Sequence, residues 1–352
     1  MASSKARGTF VPFSEATKIE KLDSHTYRVN LLDAYCIGAV PNGGYAGSCV
    51  LAAASAHLSE RNQRDMLTVH FEYPDQAGAG PAIVKVEEVK LSRRFSTIHL
   101  SLWQGGLVSQ APWITPSISR RAVIALANFT DLQTMSGMSS QTGYEVTPAA
   151  AIPEPLPDFN ILKAKGADDT WELSTLPQAS SSSIWRSLHN WCFYMPRGEP
   201  VVPGMVDMWV RMASGERIKQ GTLAYLVDSF PWNLHTFLPS PEMRKLMAAA
   251  SQPQGKAQAT RGEAPKQEDE RADLWFPTVV LNMEAKMALP EEGVEWLAVR
   301  IASKQIKDGR FDLDMQVRNV DGELVVLSHH VAMIVSIMRN TGKKGGSAKA
   351  AL

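Results

Sequence analysis

Gly221-Thr222-Leu223-Ala224-Tyr225-Leu226-Val227-Asp228-Ser229-Phe230-Pro231-Trp232 holds the key to the architecture of this chain. It is apolar almost throughout and predicts a buried helix that ends before Pro231, yet it carries Asp228. A carboxylate in such surroundings costs several kcal/mol unless it is paired or protonated. Burial of that kind also tunes proton affinity, and so marks candidate acid–base groups. Two readings stand at this point: a helix-end cap, or a tuned catalytic carboxylate.

Upstream of this helix, Val206 to Met212 reads as a strand. Four β-rich segments follow it: Thr278 to Ala288, Glu295 to Gln305, Arg310 to Val320 and Glu323 to Ile337. Residues 26–103 run in the same order. Thr26 to Leu31 is strand-like and leads through Pro41-Asn42-Gly43-Gly44 into an Ala-rich helix, Tyr45 to Leu58. Leu67 to Tyr73, Ala82 to Leu91 and Phe95 to Trp103 come next, and the last alternates with Ile98, Leu100 and Leu102 on one face. Arg94-Phe95 and Gly106 recur as Arg310-Phe311 and Gly322, all at one constant offset. Each half thus reads as a strand, one helix and a meander of long antiparallel strands. Such a sheet curls round its helix and buries it.

Three stretches break the pattern. Residues 146–183, with five prolines and a serine run, read as a linker. Residues 249–273, rich in Gln and charge, read as a flexible, solvated loop. Residues 107–120 read as an irregular insertion before a returning strand, Arg121 to Phe129. The whole chain has 352 residues with Lys+Arg and Asp+Glu equal at 36. No net field favours nucleic acid or an anionic membrane, and no apolar run reaches the length of a membrane span. The N-terminus lacks a signal-peptide core. Cys36, Cys49 and Cys192 form neither a disulfide framework nor a metal-ligand pattern. The expectation is a cytoplasmic protein without metal or cofactor, for which a homo-oligomer is compatible.

With these motifs in place, the chain resembles the thioesterase-like superfamily. The likeness is to the double-hotdog acyl-CoA thioesterases of the bacterial thioesterase II type, and especially to fungal members. The residues that carry it are Asn42-Gly43-Gly44-Tyr45, Arg93-Arg94-Phe95-Ser96-Thr97, Leu223 to Asp228, Phe276-Pro277-Thr278-Val279 and Gly322-Glu323-Leu324-Val325. The resemblance implies an α+β double hotdog, two tandem antiparallel sheets each wrapped around a central helix. With the composition breaks above, the expected division is a first hotdog at 1–145, a linker at 146–183, a second hotdog at 184–340 and a disordered tail at 341–352.

The resemblance further implies a water held by an Asp, a Thr and a Gln of the second half. Asp228 and Thr278 match the first two, and His330 stands where the Gln is expected. As general base, Asp228 would take the water's proton, while His330 offers a hydrogen bond or a proton site of its own. Asn42, Gly43 and Gly44 make a helix start with exposed N–H groups, suited to an oxyanion at about 3–4 kcal/mol per donor; a plain turn and cap is the competing reading. Arg93 and Arg94 are candidates for the phosphates of a CoA carrier. His70 and His99, on strands, read as structural. No Gly-x-Ser-x-Gly nucleophile elbow is present, which argues against an α/β-hydrolase. The expected function is hydrolysis of an acyl-CoA or acyl-carrier thioester, releasing or editing a polyketide or fatty-acyl intermediate in fungal secondary metabolism. The alternative is a non-catalytic acyl-binding or scaffold protein of the same fold.

Overall fold

The computed structural model describes residues 10–140, 142–144, 147, 152–174, 183–197, 205–230 and 274–340. The expected flexible loop 249–273 and the expected tail 341–352 lie outside the described residues. In the first half, β1 (Thr26–Leu31) precedes α1 (Gly43–His57). Four strands follow: β2 (Asp65–Glu72), β3 (Gly80–Lys90), β4 (Ser96–Gln104) and β5 (Arg120–Thr130). The alternation read from the sequence holds on β4, where Ile98, Leu100 and Leu102 are fully buried. Burial on that scale contributes about 1.5–3 kcal/mol per side chain.

Between the halves lie α2 (Phe159–Lys165) and a short strand, β6 (Trp171–Leu173). The second half contains β7 (Trp191–Pro196), β8 (Met205–Met212), α3 (Leu223–Val227), β9 (Thr278–Ala285), β10 (Leu297–Ala302), β11 (Arg310–Arg318) and β12 (Leu324–Met333). All these strands join one antiparallel sheet, ordered β1-β3-β4-β5-β2-β9-β12-β11-β10-β8-β7-β6. Outward from the β2–β9 seam the two halves repeat: β2, β5, β4, β3, β1 on one side and β9, β12, β11, β10, β8 on the other. The two expected sheets are therefore continuous edge to edge, with Phe71 opposite Leu281 and His70 opposite Asn282 at the seam. His70 Nδ1 lies 2.7 Å from Asn282 Oδ1, a structural contact.

The stretch expected as a linker is folded where it is described. Asp158 caps α2 by accepting from the Asn160 and Ile161 N–H groups, and Gly166 ends it at φ 79°. The helix lays Leu162 and Phe159 over Trp171, Trp209 and Trp296, which line the outer face of the second half. Those tryptophans supply the reason: left uncovered, they would expose large apolar area to water. The insertion at 107–120 is ordered too. Val108 N–H donates to Trp113 O, Thr115 N–H to Gly106 O, and the Ser119 hydroxyl to Gly105 O. Trp113 Nε1 reaches back to Asp23 Oδ2 at 2.7 Å.

The two helices touch through their backbones. α1 is apolar on almost every side and is buried, as such a helix must be. A Cβ on Gly44 would stand 2.1 Å from the Ala224 carbonyl oxygen and 2.6 Å from Asp228 Cβ. Only glycine permits that approach. Ser48 Oγ accepts from Tyr225 N–H a turn further on, which ties the contact down.

Candidate active site

Asp228 follows directly on α3 as its C-terminal cap, and its side chain enters the contact between the helices. Thr278, the first residue of β9, donates its hydroxyl to Asp228 Oδ1 at 2.7 Å. Gly44 N–H, in the first turn of α1, donates to Oδ2 at 2.8 Å. The Asn42 side chain donates to the Asp228 carbonyl at 2.8 Å, while its Oδ1 accepts from Tyr45 N–H. Burial pushes the Asp228 carboxyl up to about 6, against the lowering effect of Thr278 and of the Gly44 and Gly43 backbone. The carboxylate is thus expensive, but donors at a helix start stabilise it, and the dipole there also favours negative charge.

This arrangement changes the expected part of Asn42, Gly43 and Gly44. Their donors face Asp228 and not an empty oxyanion position, because α1 points its N-terminus at the end of α3. His330 also departs from expectation. It sits on β12 opposite Leu281 and Leu313, fully buried, with Nε2 3.7 Å from Asp228 Oδ1. Neither ring nitrogen has a hydrogen-bond partner, although the Leu313 backbone nearby favours the charged form slightly. Burial, with His329 beside it, pushes the imidazole down to about 3, so it is neutral. Its approach to Asp228 is therefore not an ion pair near neutral pH.

A cavity of about 510 Å³ opens against Asp228 and Thr278. Such a volume suits a small-molecule site. Ile37, Val40, Ala46, Leu188, Phe276 and Met333 give it an apolar wall, and Gly43 and Tyr73 lie beside the carboxylate. His330 does not line it; the ring stands behind the carboxylate. Arg93 and Arg94 line a separate pocket with Arg61, Gln63 and Phe95. Gln63, whose side chain donates to the Arg93 carbonyl, comes just after the far end of α1. A 15-residue helix is about 22 Å long, so these arginines stand far from the Asp228 end.

Two cavity residues carried no local sequence signal. The Tyr73 hydroxyl donates to the Gly43 carbonyl at 3.0 Å, and burial together with the Asp228 charge pushes its phenol up. Arg339 is an exposed cation on the cavity wall. Asp75, also on the wall, is paired with Arg120 at 2.6 Å. Both Tyr73 and Arg339 reach the site only through the folding of distant segments.

Residues 32–129 match the acyl-CoA thioesterase N-terminal domain, and residues 164–334 match the acyl-CoA thioesterase C-terminal domain. The chain belongs to the acyl-CoA thioesterase family. With that family it is a thioesterase-like hydrolase. This acyl-CoA thioesterase family member is also 59% identical, over 100% of both chains, to thioesterase-like protein TwmA of Talaromyces wortmannii. Solved structures share its fold. A hot dog fold protein of unknown function from Alicyclobacillus acidocaldarius superposes with TM-score 0.63 at 16% identity, covering 92% of this chain and 97% of the other. Acyl-CoA thioesterase II TesB2 from Mycobacterium marinum gives TM-score 0.54 at 16% identity, covering 96% and 99%. The family member is therefore an α+β double hotdog. Among its described residues no helix is long and apolar enough to cross a membrane.

Proposed function

We propose that this chain hydrolyses an acyl thioester borne by CoA or a carrier protein, with Asp228 as general base. The observation that carries this reading is the Asp228 carboxylate at the cavity wall, held by Thr278 and Gly44 and raised to about 6. A base with that proton affinity is ionised near neutral pH, yet still takes a proton readily. In the proposed step Asp228 accepts a proton from water as the water oxygen bonds to the thioester carbonyl carbon. The C–S bond then breaks, and the proton passes to the leaving thiolate.

Asn42, Gly43 and Gly44 act in this reading by stabilising the ionised base. Thr278 orients it. His330 is a positioning residue behind the carboxylate. The apolar cavity takes the acyl chain, and a polyketide or fatty-acyl intermediate of fungal secondary metabolism is the proposed substrate class. A reducing cytoplasmic setting agrees with three buried free cysteines, of which Cys36 and Cys49 have thiols pushed up by burial to about 11 and 12.

Asp228→Asn tests the assignment on a panel of acyl-CoA and acyl-carrier thioesters. Turnover is expected to fall by about 10²–10⁴-fold, the usual contribution of a general base. In the unaltered protein, kcat/KM is expected to decline as pH drops below about 6, as Asp228 takes up its proton. Unchanged turnover in the variant would remove Asp228 from the chemistry. An unaltered protein that binds these thioesters without cleaving them would favour an acyl-binding role.

A further inference from the structure

At the far end of α1 from Asp228, three side chains from separate elements converge. His25 lies in the turn before β1, His57 is the last residue of α1, and Glu88 stands on β3. Glu88 Oε1 is 2.8 Å from His57 Nε2 and 3.5 Å from His25 Nε2, and the three ligand atoms all lie within 4.8 Å of one another. We propose that they form a binding site for one divalent transition-metal ion of the zinc type.

The opposite ring nitrogens supply the argument. His57 Nδ1 is 3.1 Å from the Ser24 carbonyl oxygen, with the Tyr27 hydroxyl looser at 3.4 Å. A carbonyl only accepts, so a proton on His57 Nδ1 satisfies that contact and leaves the Nε2 lone pair for a ligand. That lone pair then faces the Glu88 carboxylate at hydrogen-bond distance, which is repulsive unless a positive charge lies between them. An extra proton on His57 answers for one pair. A metal ion answers for both histidines and the carboxylate at once. His25 Nδ1 lies 2.7 Å from Ser24 Oγ, so each ring is oriented through its outer nitrogen, as metal-bound histidines commonly are.

The turn that presents His25 is firmly held. His25 N–H donates to Asp23 Oδ1, and the ordered insertion braces the other Asp23 oxygen through Trp113 Nε1. The helix C-terminus contributes partial negative charge, which favours a cation. Two imidazoles and one carboxylate make a familiar zinc donor set that leaves a fourth position to water. A bound ion would pin together the turn, the end of α1 and β3. The three ligands are remote from one another in sequence, which is why no spacing motif announces them.

The experiment uses the full chain stripped with EDTA and titrated with zinc chloride by calorimetry, with cobalt(II) absorption as a second readout. One equivalent of zinc is expected, together with an upward shift of the thermal midpoint. Glu88→Gln and His25→Gln are each expected to weaken binding by at least about tenfold and to abolish that shift. His70→Gln removes a histidine–glutamate contact away from the site, at Glu72, and is expected to leave zinc binding unchanged. His25 and Glu88 are both exposed, and equal midpoints of the metal-free variants show that the fold is intact. Absence of zinc binding at tens of micromolar, or equal binding in both ligand variants, would overturn the site.

Discussion

At the scale of single residues, Asp228 and His330 respond to pH in opposite directions. Folding raises the Asp228 carboxyl from an ordinary 3.8 to about 6. Its contribution to stability is full below about 4 and is lost as pH rises through 6, because only the folded state holds the proton across that interval. Near pH 7.5 the ionised group therefore costs up to about 3 kcal/mol. Asp228→Asn is accordingly expected to keep or raise the thermal midpoint at that pH while turnover collapses. A marked fall in midpoint would show that the charge stabilises the fold. His330 is lowered from 6.5 to about 3, so stability is lost as pH falls below 6.5 and the unfolded chain alone takes up the proton. His330→Gln removes that loss. Its midpoint is expected to drop less between pH 7 and pH 5 than that of the unaltered protein, as scanning calorimetry at the two pH values would read.

At the scale of elements, the contact between α1 and α3 sets the site. Gly44 brings its N–H onto Asp228 only because no side chain separates the helix backbones. Gly44→Ala forces a methyl group against the Ala224 carbonyl. Overpacking of that kind costs about 1–3 kcal/mol, and here it also pulls the donor from the carboxylate. A lowered thermal midpoint and a lowered kcat are expected together. Gly221→Ala is the control, since a Cβ there meets nothing within 4 Å and both quantities are expected to hold. Loss of stability with full activity in Gly44→Ala would separate the donor from the chemistry. α2 lies in a proline-rich stretch that reads as a linker, although its cap Asp158 and stop Gly166 are legible in the sequence.

Across the whole molecule, the cavity belongs to neither half alone. Ile37, Asn42 and Ala122 come from the first half, and Asp228, Thr278 and Met333 from the second. The β2–β9 pairing makes one sheet, and one core cluster runs from Phe13 to Ala332. Separating the halves would uncover the β2 edge and the face of α1 that meets α3. A fragment of residues 1–145 is therefore expected to show no cooperative melting transition by circular dichroism. A sharp transition in that fragment would establish the first half as an independent folding unit.

Local sequence encodes the duplicated strand–helix–meander order, the inward face of strands such as β4, and the oddity of Asp228. Those features follow from periodicity and burial, which neighbouring residues carry between them. Asp228 and Thr278, remote in sequence, were paired through the family resemblance, and the fold places them in contact. What surrounds them came from tertiary packing alone. That packing turned the Asn42-Gly43-Gly44 donors onto Asp228, set His330 behind the carboxylate, and carried Arg93 and Arg94 to the far end of α1. It also brought Tyr73 and Arg339 to the cavity, and His25, His57 and Glu88 to one point. The physical reason is the same in each case. Sheet pairing and helix contact fix distances between residues remote in sequence, and proton affinity depends on those distances and on burial.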